Sequence, residues 1–304
     1  MRNCKELPFN NIHTGINITD KNKIKFKSLM ILLSFVFICF WGRDVSASTD
    51  WYKYGPVIHA CGAIKGHEYT NSKEALYNTL KVRKSQRKLP IEVDFMLTSD
   101  GVPVCVHDWR HYNRKNGINS NRRMSLKRFK KSHTRGNLTP MTAEQAIDMM
   151  ARTPNAYLVI DTKETNPAIY RELVKICKKR GHSAFLRRMI VQIYHYEDYK
   201  RIKSVYHFKH WLFSTYKIDC WTPGKIIQIV KKVQKMKMDA LVMPYTVFTK
   251  KVHNHYKMED RNVLAVNYKR KIPLIIHTIN SRRLYKALHL NMVNGFFTDD
   301  VYKW

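Results

Sequence analysis

The sequence predicts a (β/α)8 barrel of the TIM type, and two observations lead to that fold class. Eight short apolar segments alternate with segments whose apolar residues recur at helical spacing, a pattern typical of a parallel sheet. Eight strands also close such a barrel, and residues 48–304 match its usual size of about 250 residues. An open doubly wound sheet is the alternative, but no glycine-rich nucleotide-binding loop follows the first strand.

Each predicted strand is a short, mainly apolar run. The eight runs are 56–60, 91–97, 156–161, 189–194, 210–215, 239–243, 273–278 and 295–299. Helices are predicted at 71–80, 142–150, 166–181, 223–236, 246–256 and 281–290. Thr142, with Gln145 three residues later, has the pattern of a capping box, and Asn166, Pro167 and Gly181 mark the two ends of the third helix. The basic segment Arg110–Lys131 lacks a periodic apolar pattern, which indicates a long excursion on the active face or a flexible loop.

Residues 1–47 have the layout of an export leader. Leu29–Trp41 contains no charged residue, and Val45-Ser46-Ala47 offers the small side chains that signal peptidase prefers. The apolar run follows four closely spaced lysines, Lys21, Lys23, Lys25 and Lys27. It is short for a membrane-spanning helix, which needs roughly 20 residues. We predict a signal peptide or an uncleaved membrane anchor over residues 1–47, and an extracellular or cell-surface location for the domain 48–304.

The chain is strongly basic. It has 55 Lys and Arg against 23 Asp and Glu, a formal net charge of +32, and the excess persists beyond residue 47. Such a charge attracts anionic membranes, cell-wall polymers or nucleic acids, although a lysine-rich surface without a partner gives the same composition. No recognised nucleic-acid module surrounds the basic segments, so we expect no specific nucleic-acid partner. We expect a monomer that contacts an anionic membrane or cell-wall polymer.

Four of the six cysteines follow the leader: Cys61, Cys105, Cys177 and Cys220. None belongs to a CxxC pair, which argues against a zinc site. Four cysteines in a large domain do not make a disulfide scaffold. We expect mostly buried thiols, with a Cys61–Cys105 disulfide as the alternative.

Two carboxylates interrupt the apolar strand 91–97. Because strand side chains alternate, Ile91 and Val93 share one face while Glu92 and Asp94 share the other. In a barrel these acids would point inward near the carboxyl end of the strand, where active sites lie. Two neighbouring carboxylates repel each other, and a divalent cation with oxygen ligands removes that repulsion. An edge strand with both acids in water would show the same pattern.

Further polar residues follow the other early strands. His59 ends the first strand, and His107 ends the apolar run after Gly101; together they form a potential acid/base couple. Asp161 and Lys163 follow the third strand. Asp161 is a candidate third metal ligand and Lys163 a cation for a phosphate oxygen, unless the two form a surface pair at the end of the strand.

Several motifs, in family order over most of residues 57–300, resemble the glycerophosphodiester phosphodiesterase and phosphatidylinositol-phospholipase-like superfamily. They are HACG (59–62), YTNSKEAL (69–76), EVDFMLTSDGVPVCVHDW (92–109), LTPMTAEQAIDMM (138–150), LVIDTKE (158–164), VQIY (191–194), HTIN (277–280) and GFFTDD (295–300). The resemblance implies a TIM barrel and a phosphoric diester hydrolase. It places the acid/base pair on His59 and His107, and a Mg²⁺ or Ca²⁺ ion on Glu92, Asp94 and Asp161.

The sequence departs from the family's pattern in one motif. The family's first motif commonly reads His-Arg-Gly, whereas this chain has His59-Ala60-Cys61-Gly62. Because this arginine is missing, the resemblance does not predict which leaving group or which substrate the protein uses. We therefore expect an exported metal-dependent phosphodiesterase that acts on glycerophosphodiesters or phospholipid headgroups, by way of a cyclic phosphate. The alternatives are a non-catalytic basic surface protein that binds anionic polymer or lipid, and a nucleic-acid-binding or nucleic-acid-cleaving protein.

Overall fold

The computed structural model describes residues 51–163, 167–218, 223–247, 249–252, 255–258, 272–289 and 293–304. In this part of the chain the strands are β1 (Val57–Ile58), β2 (Leu89–Leu97), β3 (Pro103–Cys105), β4 (Ala156–Asp161), β5 (Met189–Ile193), β6 (His210–Ser214), β7 (Ala240–Pro244), β8 (Thr249–Val252), β9 (His255–Met258), β10 (Leu274–His277) and β11 (Gly295–Thr298).

Eight of these strands form a closed parallel barrel with the order β1-β2-β4-β5-β6-β7-β10-β11. The barrel closes because β1 pairs with both of its neighbours: Val57 with Phe297 of β11, and Ile58 with Ile91 of β2. Of the other three strands, β3 lies antiparallel to the end of β2, and β8 pairs with β9. The predicted (β/α)8 barrel is therefore confirmed, and each of the eight predicted strands is a barrel strand.

The helices lie between these strands in the chain. They are α1 (Lys73–Val82), α2 (Trp109–Lys115), α3 (Leu126–Phe129), α4 (Ala143–Ala151), α5 (Pro167–Lys179), α6 (Tyr196–Lys203), α7 (Pro223–Lys235) and α8 (Arg282–His289). The capping box at the start of α4 is present: Thr142 accepts from the backbone N–H of Gln145, whose side chain accepts from the backbone N–H of Thr142. Gly181, with φ 74°, follows the end of α5 as predicted, while Asn166 lies outside the described residues.

One predicted helix is wrong. Residues 246–256 were expected to be helical, but β8 and β9 form an antiparallel pair there. The apolar spacing of this segment also fits a helix, but its sequence is rich in β-branched residues, a type that favours strands.

The basic segment 110–131 is more ordered than a flexible loop. Asp108 caps α2 and Ser125 caps α3, each by accepting a hydrogen bond from a backbone N–H. Trp109 is buried with Tyr112 and Phe129 in a small cluster, and its Nε1 donates to the carbonyl of Leu97 at 3.0 Å. Trp109 therefore packs beneath the basic segment.

The core has two layers, separated by the barrel wall. Outside the wall, Ile91, Val93 and Phe95 belong to the large cluster that includes residues of the surrounding helices. Inside, a smaller cluster fills the barrel, built from residues such as Val159, Ile190, Leu212, Val242, Ile275 and Phe297. Because side chains alternate along β2, this arrangement turns its acids into the barrel.

Residues 1–50 lie outside the described part of the chain. The leader, its apolar segment and the domain boundary after residue 47 therefore stay predictions. Within the described ranges, no helix combines the length and the apolar character that a membrane span requires.

Candidate active site

Three carboxylates meet inside the carboxyl end of the barrel. Glu92 and Asp94 lie on β2, and Asp161 is the last residue of the neighbouring β4, where it pairs in register with Asp94. One carboxylate oxygen from each lies within 4.8 Å of the other two. The residues are 1%, 0% and 2% exposed, respectively, so water does not separate their charges. Such a cluster requires a cation or bound protons.

The surroundings affect these carboxylates differently. Burial and the charge of Asp94 raise the pKa of Glu92 to about 8. Burial would also raise the pKa of Asp94, but the charge of Lys163 and a hydrogen bond from Asn71 help to lower it to about 2. The Lys163 ammonium lies 3.0 Å from Asp94 Oδ1 and 2.6 Å from Asp161 Oδ2. The lysine predicted to face a phosphate is thus positioned by two of the three acids.

The acidic cluster fits a hard divalent cation. Glu92 Oε2 accepts a hydrogen bond from the backbone N–H of Ala60 at 2.6 Å. Its other oxygen, Oε1, is buried and has no hydrogen-bond partner among the described residues. A buried carboxylate oxygen without a donor is costly, and a metal ion removes that cost. Carboxylate ligands of this kind suit Mg²⁺ or Ca²⁺.

His59 lies beside this cluster, held by a turn directly after β1. Ala60 and Gly62 have φ values of 46° and 90°, and a Cβ at Gly62 would lie 2.4 Å from Val301 Cγ1, so the turn requires glycine there. His59 Nδ1 lies 2.7 Å from Asp299 Oδ1, and Nε2 lies 3.9 Å from Glu92 Oε2. Burial lowers the pKa of His59, but the bond to Asp299 and the nearby carboxylates raise it above the ordinary value.

His107 is the more accessible of the two histidines, with 39% of its side chain exposed. Its Nδ1 lies 2.9 Å from Asp108 Oδ2. Tyr69 stands between the histidines, with its ring centroid 4.5 Å from that of His59 and 5.9 Å from that of His107. Each histidine therefore has one ring nitrogen engaged by an aspartate, which leaves its Nε2 available for proton transfer.

One cavity of about 540 Å³ joins these groups. Its wall includes His59, His107, Asp161 and Lys163, while the buried Glu92 and Asp94 contact this set through the bonds given above. The structure thus brings all six predicted site residues together. Other residues that line the cavity are Tyr69, Gln192, Tyr194, Ser214, Tyr216, Lys217, Val242, Pro244, Tyr245, Thr246, His277 and Thr278.

Three residues with evident structural roles were absent from the predicted site. Asp299 binds His59, Asn71 holds both the carboxylate and the backbone N–H of Asp94, and Tyr69 separates the two histidines. The sequence contained a weak indication of each of these three residues. Tyr69 and Asn71 lie in the YTNS stretch, and Asp299 belongs to the TDD that ends the last strand.

His277 lines the cavity. Its Nδ1 lies 2.8 Å from the Tyr216 hydroxyl, within hydrogen-bond distance. Burial and the charges of His59 and Lys163 hold the pKa of His277 well below its ordinary value. The side chain therefore presents a neutral imidazole to the cavity.

A family model decides the classification. The model of the glycerophosphoryl diester phosphodiesterase family matches residues 72–303. The chain belongs to this family. As a glycerophosphoryl diester phosphodiesterase family member, it is a phosphoric diester hydrolase. The matched range includes five of the six predicted site residues, and His59 precedes it. Among curated protein sequences none matches this chain.

Solved structures of the same family have this fold. A glycerophosphodiester phosphodiesterase from Thermotoga maritima is 19% identical, with a TM-score of 0.55 over 76% of this chain and 89% of its own. One from Parabacteroides distasonis is 15% identical, with a TM-score of 0.58 over 81% and 93%. A phosphodiesterase from Oleispira antarctica, solved with the product sn-glycerol-3-phosphate, is 16% identical, with a TM-score of 0.61 over 83% and 96%. At these identities the likeness establishes the fold.

Proposed function

We propose that this protein is an exported, metal-dependent phosphodiesterase that cleaves glycerophosphodiesters or phospholipid headgroups with two histidines. The observation that carries the proposal is the joint placement of His59 and His107 on one cavity, beside three buried carboxylates. Family membership supports the reaction class. The alternative is a non-catalytic surface protein. Such a protein would have no need for this complete set of charged groups in the barrel interior.

Glu92, Asp94 and Asp161 are the residues that would hold a divalent cation. Mg²⁺ or Ca²⁺, when bound there, would supply Lewis-acid polarisation of the phosphodiester. Lys163 adds a positive charge at the same edge of the cavity, where it can offset charge on the phosphoryl oxygens.

The two histidines perform the proton transfers. The Nε2 of one histidine accepts the proton of a substrate hydroxyl that is vicinal to the phosphate ester, and that oxygen attacks phosphorus. The bond from phosphorus to the leaving oxygen breaks, and the other histidine donates its proton to the departing alkoxide. The products are a cyclic phosphate, which water can open, and a free alcohol. Asp299 and Asp108 orient the two rings by binding their Nδ1 atoms.

A headgroup-release screen tests this function. The domain 48–304 is incubated with Mg²⁺ or Ca²⁺ and a panel of glycerophosphodiesters, phosphatidylinositol, sphingomyelin and a teichoic-acid-like polymer. We expect metal-dependent release of alcohol from at least one of these diesters. Failure on the whole panel, with a folded and metal-supplemented protein, would contradict the proposed function.

The surface charge supports a proposal about location. A small diester needs few cations in its cavity, so most of the formal charge of +32 has no catalytic task. The basic segment 110–131 follows His107 closely and carries six exposed cations: Arg122, Arg123, Lys127, Arg128, Lys130 and Lys131. We propose that this basic segment attracts the enzyme to an anionic membrane or cell-wall polymer, where phosphodiesters are found.

A further inference from the structure

A second cavity, of about 220 Å³, meets the active-site cavity at Tyr69 and His107, which line both. Part of its wall comes from α2 and from the turn at 134–138, which lie outside the barrel. Two positively charged side chains, Lys115 and Arg135, line it. A substrate that is longer than its reacting phosphate can therefore extend from the catalytic groups into a second, basic space.

Hydrogen bonds place the two cations on the same wall. Lys115 belongs to the last turn of α2, and Arg135 to a tight turn that is closed by a backbone hydrogen bond of 2.9 Å across 134–138. Asn116 joins the two elements: its amide nitrogen donates to the carbonyl of His133, and its amide oxygen accepts from the backbone N–H of His133, both at 3.0 Å. The local fold thus brings two like charges to one cavity.

The acid on this wall does not neutralise the two cations. Asp108 lines the same cavity, but its carboxylate binds the imidazoles of His107 and His111, at 2.9 Å and 2.8 Å. Among the described residues, neither Lys115 nor Arg135 forms an ion pair with a carboxylate. Two cations without a counter-charge repel each other, and an anion between them removes that repulsion.

The electrostatics of Lys115 agree with this arrangement. Burial and the charge of Arg135 lower the pKa of Lys115, an effect that Asp108 only partly offsets. The charge of Glu68 also interacts with Arg135, but Glu68 lines a different cavity, beside Asp299. The space between Lys115 and Arg135 therefore favours a negatively charged group.

We infer that Lys115 and Arg135 bind a second anionic group of the substrate, a phosphate or a carboxylate, besides the phosphodiester that is cleaved. The planar guanidinium of an arginine binds such oxygens in pairs, and a lysine adds a compact positive charge. In the proposed function, on which this inference rests, the reacting phosphate lies beside His107. The second anion then belongs to the part of the substrate that extends past His107. The preferred substrates are diesters with an alcohol that carries a further phosphate or carboxylate.

Three soluble diesters test the inference. The first is glycerophosphoglycerol, whose two alcohols are uncharged; the second carries a phosphate monoester on one glycerol; the third has glycerate in place of that glycerol. With Mg²⁺ or Ca²⁺, the natural chain should show a kcat/KM about tenfold higher for at least one of the two charged diesters, the size expected of two ion pairs near solvent. The charged diester with the larger increase identifies the bound group as phosphate or carboxylate.

The double variant Lys115→Gln/Arg135→Gln should bring this ratio close to one, and it should not lower the Tm, since no ion pair within the described protein is lost. The double variant Arg110→Gln/Arg114→Gln is the matched control. It removes the same charge from exposed positions of α2 that line neither cavity, and it should keep the ratio.

Three results would overturn the inference while leaving the phosphodiesterase function intact. They are equal kcat/KM values for all three diesters, a ratio that Lys115→Gln/Arg135→Gln does not change, and an equal loss in both double variants, which would assign the preference to overall charge. Hydrolysis of none of the three diesters, nor of any member of the headgroup panel, would remove the proposed function and this substrate site with it.

Discussion

Asp299 Oδ1 lies 2.7 Å from His59 Nδ1, although 240 residues separate them in the chain. Closure of the barrel makes this contact possible, because β1 pairs directly with β11. Asn280 fixes the aspartate: its amide donates to Asp299 Oδ2 at 2.6 Å, and its oxygen accepts from the Asp299 backbone N–H at 2.9 Å. Asp299 thereby holds the proton of the neutral imidazole on Nδ1 and leaves Nε2 as the reactive nitrogen.

Asp299→Asn should lower kcat at least about tenfold with a smaller effect on KM. An asparagine amide that donates to Nδ1 favours the tautomer with its proton on Nε2 and no longer stabilises the protonated ring, so His59 should transfer protons less well as either base or acid. Steady-state kinetics on a soluble glycerophosphodiester provide the measurement. Asp300→Asn is the matched control, because Asp300 binds the backbone N–H groups of Tyr302 and Lys303 and has no bond to His59. Equal kcat values for the natural chain and Asp299→Asn would show that Asp299 does not orient His59 for proton transfer.

His59→Ala and His107→Ala should each lower kcat at least about 10²-fold, the low end for a lost general acid or base. The double variant should lose far less than the product of the two single effects, because both histidines act in one displacement. His195→Ala, an exposed histidine without a side-chain cap bond, is the control. A single variant with near-normal kcat would make that histidine structural and would exclude the two-histidine mechanism.

The sequence predicted the parts of the site that depend on local pattern. Alternation along residues 91–97 was sufficient to direct Glu92 and Asp94 into the barrel, since burial of Ile91 and Val93 on the other face fixes their side. Contacts such as that of Asp299 with His59 depend on barrel closure, which no local pattern encodes. The strands at 249–252 and 255–258 were missed because their apolar spacing also fits a helix.

The cysteines provide a test of the packing around the active site. Cys61, Cys105 and Cys177 are buried free thiols, and burial raises the pKa of each, to about 12 for Cys177. Because the thiolate is the reactive form, none of the three should be alkylated in the native protein at pH 8 within minutes. All three should react after denaturation without a reductant. Peptide mapping by mass spectrometry measures both, and a disulfide-linked Cys61–Cys105 peptide would contradict the structure.

Replacing these six cations of the basic segment 110–131 by glutamine should weaken binding to anionic liposomes or to a teichoic-acid-like polymer at low salt. Turnover of a small soluble diester should change little, because surface charges are screened over about 10 Å at 0.1 M salt. Co-sedimentation at increasing salt measures the binding.

The matched control replaces six other exposed lysines by glutamine: Lys178, Lys179, Lys200, Lys209, Lys231 and Lys235. An equal loss of binding in both variants would mean that total charge, rather than the basic segment, attracts the surface. Binding that neither variant weakens, and that is equally strong on neutral liposomes, would exclude a localising role.

The measurement that tests the central claim most directly is diester turnover by the metal-stripped domain, before and after Mg²⁺ or Ca²⁺ is added back. We expect turnover to fall to background in excess chelator and to return with one of these ions. Glu92→Gln, which keeps the size of the side chain but removes the charge of one ligand, should lose at least about 10²-fold in kcat while its Tm shows a folded protein. Undiminished turnover in excess chelator, or full activity of Glu92→Gln, would contradict a metal-dependent site on Glu92, Asp94 and Asp161.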